Sequence, residues 1–353
     1  MYKKLKLILV AVLMVAIVAA TGTFLGCKKP EAVPAAEAVQ DINETEEDLQ
    51  DTEDAAAEAV EEEVEEVLTV EVTDGLGTKI SLEKPAEKVI VFAPSALEVI
   101  DALGAMDKVI GVDNWNVESG EPLAQGFEGF GDFQGLNIEK IVEANPDIIV
   151  ALAGGSEEDY QRVMEFGVKV YTVEAASFER IYEEIVNMGA IIGLKDEATE
   201  LKNKFQQQVD EIDSKVKNLG EDEKPKVFYE IFDDPLWSAG KDTFINDLIV
   251  KAGGANIVAI DDLAGYVEYS VEKLIENNPD IMIAGDGGMY VAKTEDFILA
   301  DSRFSSIDAV INKKVYILPE NPVVRPNHNT IKGLEMFARA IHPELFGEFE
   351  IIE

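Results

Sequence analysis

Apolar and polar positions alternate along this chain in three different ways. Leu7 to Ala20 is an unbroken apolar run, whereas residues 30–68 contain no aromatic side chain. From residue 69 onward, short apolar runs of strand length alternate with stretches of helical period. Val70–Thr73 and Thr78–Leu82 flank Asp74-Gly75-Leu76-Gly77 and predict a β-hairpin. Lys88-Val89-Ile90-Val91-Phe92 reads as a buried strand, Pro94-Ser95 opens a helix to about Leu103, and Val109–Val112 is a second strand. Strand–helix–strand alternation predicts an α/β fold with parallel sheets.

The pattern is doubled. Leu136-Asn-Ile-Glu-Lys-Ile-Val-Glu-Ala-Asn-Pro-Asp-Ile-Ile-Val-Ala-Leu-Ala-Gly-Gly155 returns 133 residues later as Tyr269-Ser-Val-Glu-Lys-Leu-Ile-Glu-Asn-Asn-Pro-Asp-Ile-Met-Ile-Ala-Gly-Asp-Gly-Gly288, with ten of twenty positions identical. Each copy has a capping residue (Asn137, Ser270), then apolar positions at helical spacing, and then Asn-Pro, which disfavours further helix. A buried strand follows, Ile148–Ala151 in one copy and Ile281–Ala284 in the other. Lys226-Val-Phe-Tyr-Glu230 repeats the opening strand, and Thr243–Ala252 repeats the helix after it. Asp196–Leu219 is amphipathic, has no Pro or Gly, and is long enough for about six helical turns. The expected architecture is therefore two Rossmann-like lobes, residues 69–195 and 223–353, joined by one long helix within 196–222, with a cleft between the lobes. A helical connection implies limited hinge motion.

Charge separates the N-terminal segments. The chain of 353 residues carries a formal net charge of −40, with two His and one Cys. Residues 1–29 hold five Lys and no acid, and residues 30–68 hold 16 acids and no base, which leaves −29 for the rest. This balance argues against nucleic acid as a partner, since phosphate backbones call for clustered cations. One Cys excludes a disulfide framework, and two His leave little for a metal cage. Lys3, Lys4 and Lys6 before the apolar run describe a secretory signal, although the 21 uncharged residues from Leu7 to Cys27 would also fit a retained membrane span. The acidic stretch cannot bury enough apolar area to order itself and reads as an extended, self-repelling linker.

Phe24-Leu25-Gly26-Cys27 resembles a bacterial lipobox, with Phe24 where Leu is usual. The resemblance implies a signal peptide over 1–26, diacylglycerol on the Cys27 thiol, and a lipid-anchored linker over 27–68. Together with the two lobes and bridging helix, it is similar to the helix-bridged substrate-binding lipoproteins of bacterial ABC importers for cobalamin, ferric siderophores and haem. The similarity covers residues 69–346. It rests on Gly131-Asp-Phe-Gln-Gly-Leu-Asn-Ile-Glu139, Pro235-Leu-Trp-Ser-Ala-Gly240, the second Glu repeat, and Arg325-Pro-Asn-His-Asn329 with His342-Pro-Glu-Leu-Phe346. It implies a monomer held at the extracytoplasmic face of the membrane, with Glu139 and Glu272 meeting Arg on the two permease subunits. An acid in a helix's first turn is also stabilised by the macrodipole without any partner, by roughly 0.3–1 kcal/mol.

Ligand is expected at the loops leaving the carboxyl ends of the strands. These loops carry Trp115, Phe133, Trp237, Tyr266, Tyr269 and Tyr290, together with Arg325 and His328. Each aromatic could instead cover core; clustered on such loops they read as a ligand face. Trp115, Phe133, Trp237 and Tyr266 fall where cobalamin-binding members place aromatics, while Leu152 stands in place of a further Trp. Cobalamin, large and nearly neutral, suits aromatic walls, whereas an anionic siderophore needs converging cations. Arg325 is the single Arg on these loops, and Asn329 stands where many relatives have another. A ferric hydroxamate remains the alternative, and haem a further one with His328 as a candidate metal ligand. His342 reads as structural. No cofactor is called for, and enzymatic function lacks support: there is no G-x-G-x-x-G after the first strand, no G-x-x-x-x-G-K-[ST] and no G-x-S-x-G. Neither does an adhesion or structural lipoprotein need a cleft or a doubled lobe.

Overall fold

A computed structural model describes residues 69–132, 135–286 and 293–352. The leader, Cys27, the acidic linker, Phe133 and Tyr290 lie outside the described residues. Each lobe is built on a four-stranded, all-parallel sheet. In the N-terminal lobe, Val89–Val91 lies between Val109–Val112 and Ile148–Leu152, with Lys169–Val173 beyond the latter. In the C-terminal lobe, Lys226–Glu230 lies between Ala255–Asn256 and Ile281–Gly285, with Val315–Leu318 beyond. Numbered within its own lobe, each sheet has strand order 2-1-3-4, so the sequence repeat is a repeat of topology.

Period-two alternation sorts the side chains of these strands between two layers. Val89, Val91, Ile148 and Val150 join Val227, Tyr229, Ile281 and Ile283 in one continuous core running through both lobes. The alternate residues Ile90, Ile149 and Ala151 form an outer core in the first lobe, and Phe228, Met282 and Ala284 one in the second. Ile141 and Leu274, at matching places in the repeated helices, fill those two outer cores.

The repeat's conserved-in-copy residues have local tasks. Asn137 and Ser270 accept from the backbone N–H of Lys140 and Lys273, each at 3.1 Å, and so cap the helices Ile138–Ala144 and Val271–Asn277. Both helices end on an Asn in the left-handed region (Asn145 φ 46°, Asn278 φ 45°), so the stop expected from Pro begins one residue earlier. Asp147 and Asp280 then accept from the backbone at the start of the first strand of their lobes, at 2.8 Å from Glu87 N and Lys226 N. The Asn-Pro-Asp triplet thus turns the chain and fastens it to the sheet.

The bridging helix is Lys195–Val216, shorter at its C-terminal end than the apolar period suggests; Glu221–Glu223 forms a separate 3-10 turn. Its buried face welds the lobes together. Phe205 packs on Phe178 of the first lobe at 6.0 Å between ring centroids, and Phe178 packs on Phe244 of the second at 5.5 Å. The Phe178 N–H also donates to Asp247 Oδ2 at 2.8 Å.

One buried acid near this core makes stability depend on pH. Glu184, on the helix Phe178–Ile192, accepts from the Tyr171 hydroxyl at 2.6 Å, yet burial pushes its pKa up to about 7. The folded protein therefore holds this proton more tightly than the unfolded chain does. The stabilisation is complete below the ordinary Glu range near 4.5 and is lost as pH rises through about 7. Unfolding free energy should fall by about 3 kcal/mol between pH 5 and pH 8.5 from this group. E184Q should flatten that slope in denaturant titrations at the two pH values; an unchanged slope assigns it elsewhere.

Candidate ligand-binding cleft

The candidate residues sit where the parallel strands end. Val109–Val112 runs into Asp113, whose Oδ1 accepts from Asn116 N at 2.8 Å and caps the helix Asn114–Ser119. Burial raises the Asp113 carboxyl above its ordinary range. The cap fixes the next turn, and Trp115 on it is 45% exposed. Leu152, at the end of Ile148–Leu152, is exposed as well. Gly131–Asp132 and Gly135–Leu136 pair antiparallel on the same side of the lobe. Gly131 has φ +122°, and a Cβ there would sit 2.6 Å from Gly135 O, so the turn requires glycine at this position.

The C-terminal lobe presents its aromatics on a small antiparallel sheet of Phe232–Asp233, Leu236–Ala239 and Tyr266–Glu268. The register sets Trp237 opposite both Phe232 and Glu268, and Ala239 opposite Tyr266. Residues opposite one another share a face, as do alternate residues along a strand. Phe232, Trp237, Tyr266 and Glu268 therefore lie on one face. Leu236 and Val267 lie on the other and pack into the lobe's outer core. Tyr266 is 50% exposed and Trp237 is half-buried.

The same alternation corrects the expectation for Tyr269. It points inward, is 2% exposed, and packs on Phe228 at 5.6 Å between centroids. Its hydroxyl donates to Asp261 at 2.7 Å and accepts from Asn277 Nδ2 at 2.7 Å. Tyr269 is a core residue. Arg325 is corrected too: it is not an open cation. Its Nη1 donates to Glu121 Oε2 at 2.8 Å and to Glu98 Oε1 at 3.4 Å, both on the opposite lobe. His328 is half-buried; its Nδ1 is buried without a partner among the described residues, and burial lowers its pKa. Among the described residues no group of three or more His, Cys, Asp or Glu is placed to hold a metal ion. His342 bonds Gly253 O through Nε2 at 3.1 Å and Glu344 through Nδ1 at 2.9 Å, a structural role.

Glu139 and Glu272 occupy the second position of the two repeated helices, and both are exposed. Neither carboxylate has a hydrogen-bond or ion-pair partner among the described residues. The lysine after each is engaged elsewhere, Lys140 with Glu128 at 2.9 Å and Lys273 with Asp261 at 3.3 Å. Two unneutralised acids thus stand at equivalent points of two equivalent lobes.

Two features gave no sequence signal. Glu98 and Glu121, the partners of Arg325, are ordinary acids more than 200 positions away from it. Glu230 ends the first strand of the second lobe and is 1% exposed. Its Oε1 accepts from Lys293 Nζ at 2.8 Å, and the same ammonium donates to Ile231 O at 3.0 Å. Glu230 Oε2 has no partner among the described residues, and burial raises the carboxyl's pKa against the pull of Lys293.

Doubled lobes, a helical bridge and aromatics at facing strand ends define a two-lobed solute-binding protein. Residues 89–322 match the family described as periplasmic binding protein, and the chain belongs to it. It is 30% identical over 287 residues to the uncharacterized ABC transporter substrate-binding lipoprotein YvrC of Bacillus subtilis, covering 80% of this chain and 88% of that one. It is 24% identical to the vitamin B12-binding protein of Vibrio parahaemolyticus over 71% of this chain and 88% of the relative. A crystal structure described as a possible iron-binding (periplasmic solute-binding) protein from Staphylococcus epidermidis superposes with a TM-score of 0.62 at 28% identity, over 73% of this chain and 99% of that one. The protein is a substrate-binding protein of an ABC importer, and not an enzyme.

Proposed function

We propose that this protein is a lipid-anchored receptor at the extracytoplasmic face of the membrane that captures cobalamin and delivers it to an ABC permease dimer. The observation that carries the ligand choice is the pair of aromatic surfaces: exposed Trp115 on one lobe, and on one sheet face of the other exposed Tyr266 with half-buried Phe232 and Trp237. Flat aromatic surface suits a large, nearly neutral corrinoid, and such contacts desolvate well without demanding a charge on the ligand. Relatives named for vitamin B12 and cobalamin support the same choice. Phe133, outside the described residues, belongs to this proposed face. Cys27 is the proposed point of lipid attachment, and Glu139 and Glu272 the proposed contacts to the two permease subunits.

Titration of the purified protein with cyanocobalamin should quench tryptophan fluorescence and release heat at a stoichiometry of one. W237A should weaken binding about 30-fold or more, as expected for a central aromatic anchor. Absence of any cobalamin response, with saturable binding of a ferric hydroxamate instead, would replace the corrinoid by the iron chelate.

A further inference from the structure

The environment of Arg325 carries information about ligand charge that the residue's mere presence does not. Arg325 follows the helix Asn321–Val324, after the last strand of the C-terminal sheet. Across the gap, Glu98 lies on the helix Pro94–Ala102, which follows the first strand of the N-terminal sheet. Glu121 closes the segment bearing Trp115, its N–H bonded to Asn116 O at 3.1 Å. Arg325 thus lies on a segment after the last strand of its sheet, and its two partners lie on segments that follow the first two strands of the opposite sheet. One guanidinium meets two carboxylates, leaving a net charge of −1. Glu98 is held further by the same C-terminal loop: its Oε2 accepts from Asn327 Nδ2 at 2.8 Å and from Asn329 Nδ2 at 2.9 Å. Arg325, Glu98 and Glu121 are all partly buried, so solvent screens them less than it would surface charges.

We propose that Glu98 and Glu121 are specificity-determining residues: by sequestering Arg325 across the lobes they turn the one cleft guanidinium into a net negative locus that rejects anionic metal chelates and admits neutral or cationic ones. The inference rests on the reading of these loops as the ligand site. Its physical basis is that a guanidinium attracts a carboxylate or catecholate strongly only while its own charge is unbalanced. Here the charge is overbalanced by acids. Specificity then comes from a repulsive element as much as from aromatic attraction.

The test uses haemin, whose propionates are ionised at pH 7.5, as the anionic probe and cyanocobalamin as the neutral one. The parent protein should bind haemin weakly. E121Q, which keeps the Glu98 contacts to both asparagines, should bind it at least tenfold more tightly, and E98Q/E121Q more tightly again. Adding R325Q to E121Q should abolish the gain. No gain in either variant, or a gain that survives R325Q, overturns the proposal, as does tight haemin binding by the parent. Should the parent fail to bind cyanocobalamin while the Arg325-dependent gain appears, the charge filter stands and the corrinoid assignment falls.

Discussion

Reversing both charges in E139K/E272K is expected to abolish uptake while leaving ligand affinity at the parent value. Each acid is exposed, unpartnered among the described residues, and set at the same helical position of its lobe. The proposed permease dimer would offer two equivalent cationic surfaces, and like-charge contacts at both ends of a docking interface cost several kcal/mol. One reversal should leave partial transport and two should leave none. The measurements are uptake of labelled cobalamin in cells depending on this protein and calorimetry on the purified variant. Immunoblotting of the membrane fraction serves as the control that the variant is made and reaches the membrane. A change in affinity would make the two acids pocket residues instead, and undiminished uptake would remove them from the interface.

The largest expected loss of stability is at Lys293. Glu230 is fully buried, has one oxygen without a partner among the described residues, and depends on the Lys293 ammonium for its charge balance. Removing one member of a buried pair leaves the other charge uncompensated, at a cost of about 3–5 kcal/mol. K293M should lower the melting temperature by roughly 10 °C for a protein of this size. E230Q/K293M, which leaves no buried charge, should regain most of it. A K293M loss below about 1 kcal/mol would show that water or a rearranged neighbour reaches Glu230 at little cost. Since Lys293 anchors the chain to the end of the first strand of its lobe, the single variant should also weaken ligand binding at the neighbouring aromatic face.

Much of the fold was legible because its signals are local. The first and third strands of both sheets and the second of the N-terminal one came from apolar runs, the repeated helices from Asn137 and Ser270 as caps, and the pseudo-symmetry from identity between residues 136–155 and 269–288; the strands Lys169–Val173, Ala255–Asn256 and Val315–Leu318 were found only in the structure. The site was legible less evenly. Trp115, Trp237 and Tyr266 could be placed near strand ends from their loops. Tyr269 could not be separated from Tyr266, because the face of a residue depends on the register of the strand ahead of it, and one step along the chain reverses the direction. The bridging helix ended early for a related reason: an amphipathic period continues past Val216, but capping and the turn at 221–223 decide where helix stops.

By itself, then, the sequence determined the α/β class, the doubling and the helical bridge, since periodicity, capping and composition act over a few positions. Tertiary structure alone decided how charges are spent. It gave Arg325 to two acids of the opposite lobe, buried Glu230 against Lys293, drew His328 out of solvent, and left Glu139 and Glu272 bare. Such pairings join residues tens to hundreds of positions apart, and the energy of a charge depends on burial and on the partner within a few ångströms, neither of which is written in the order of residues along the chain.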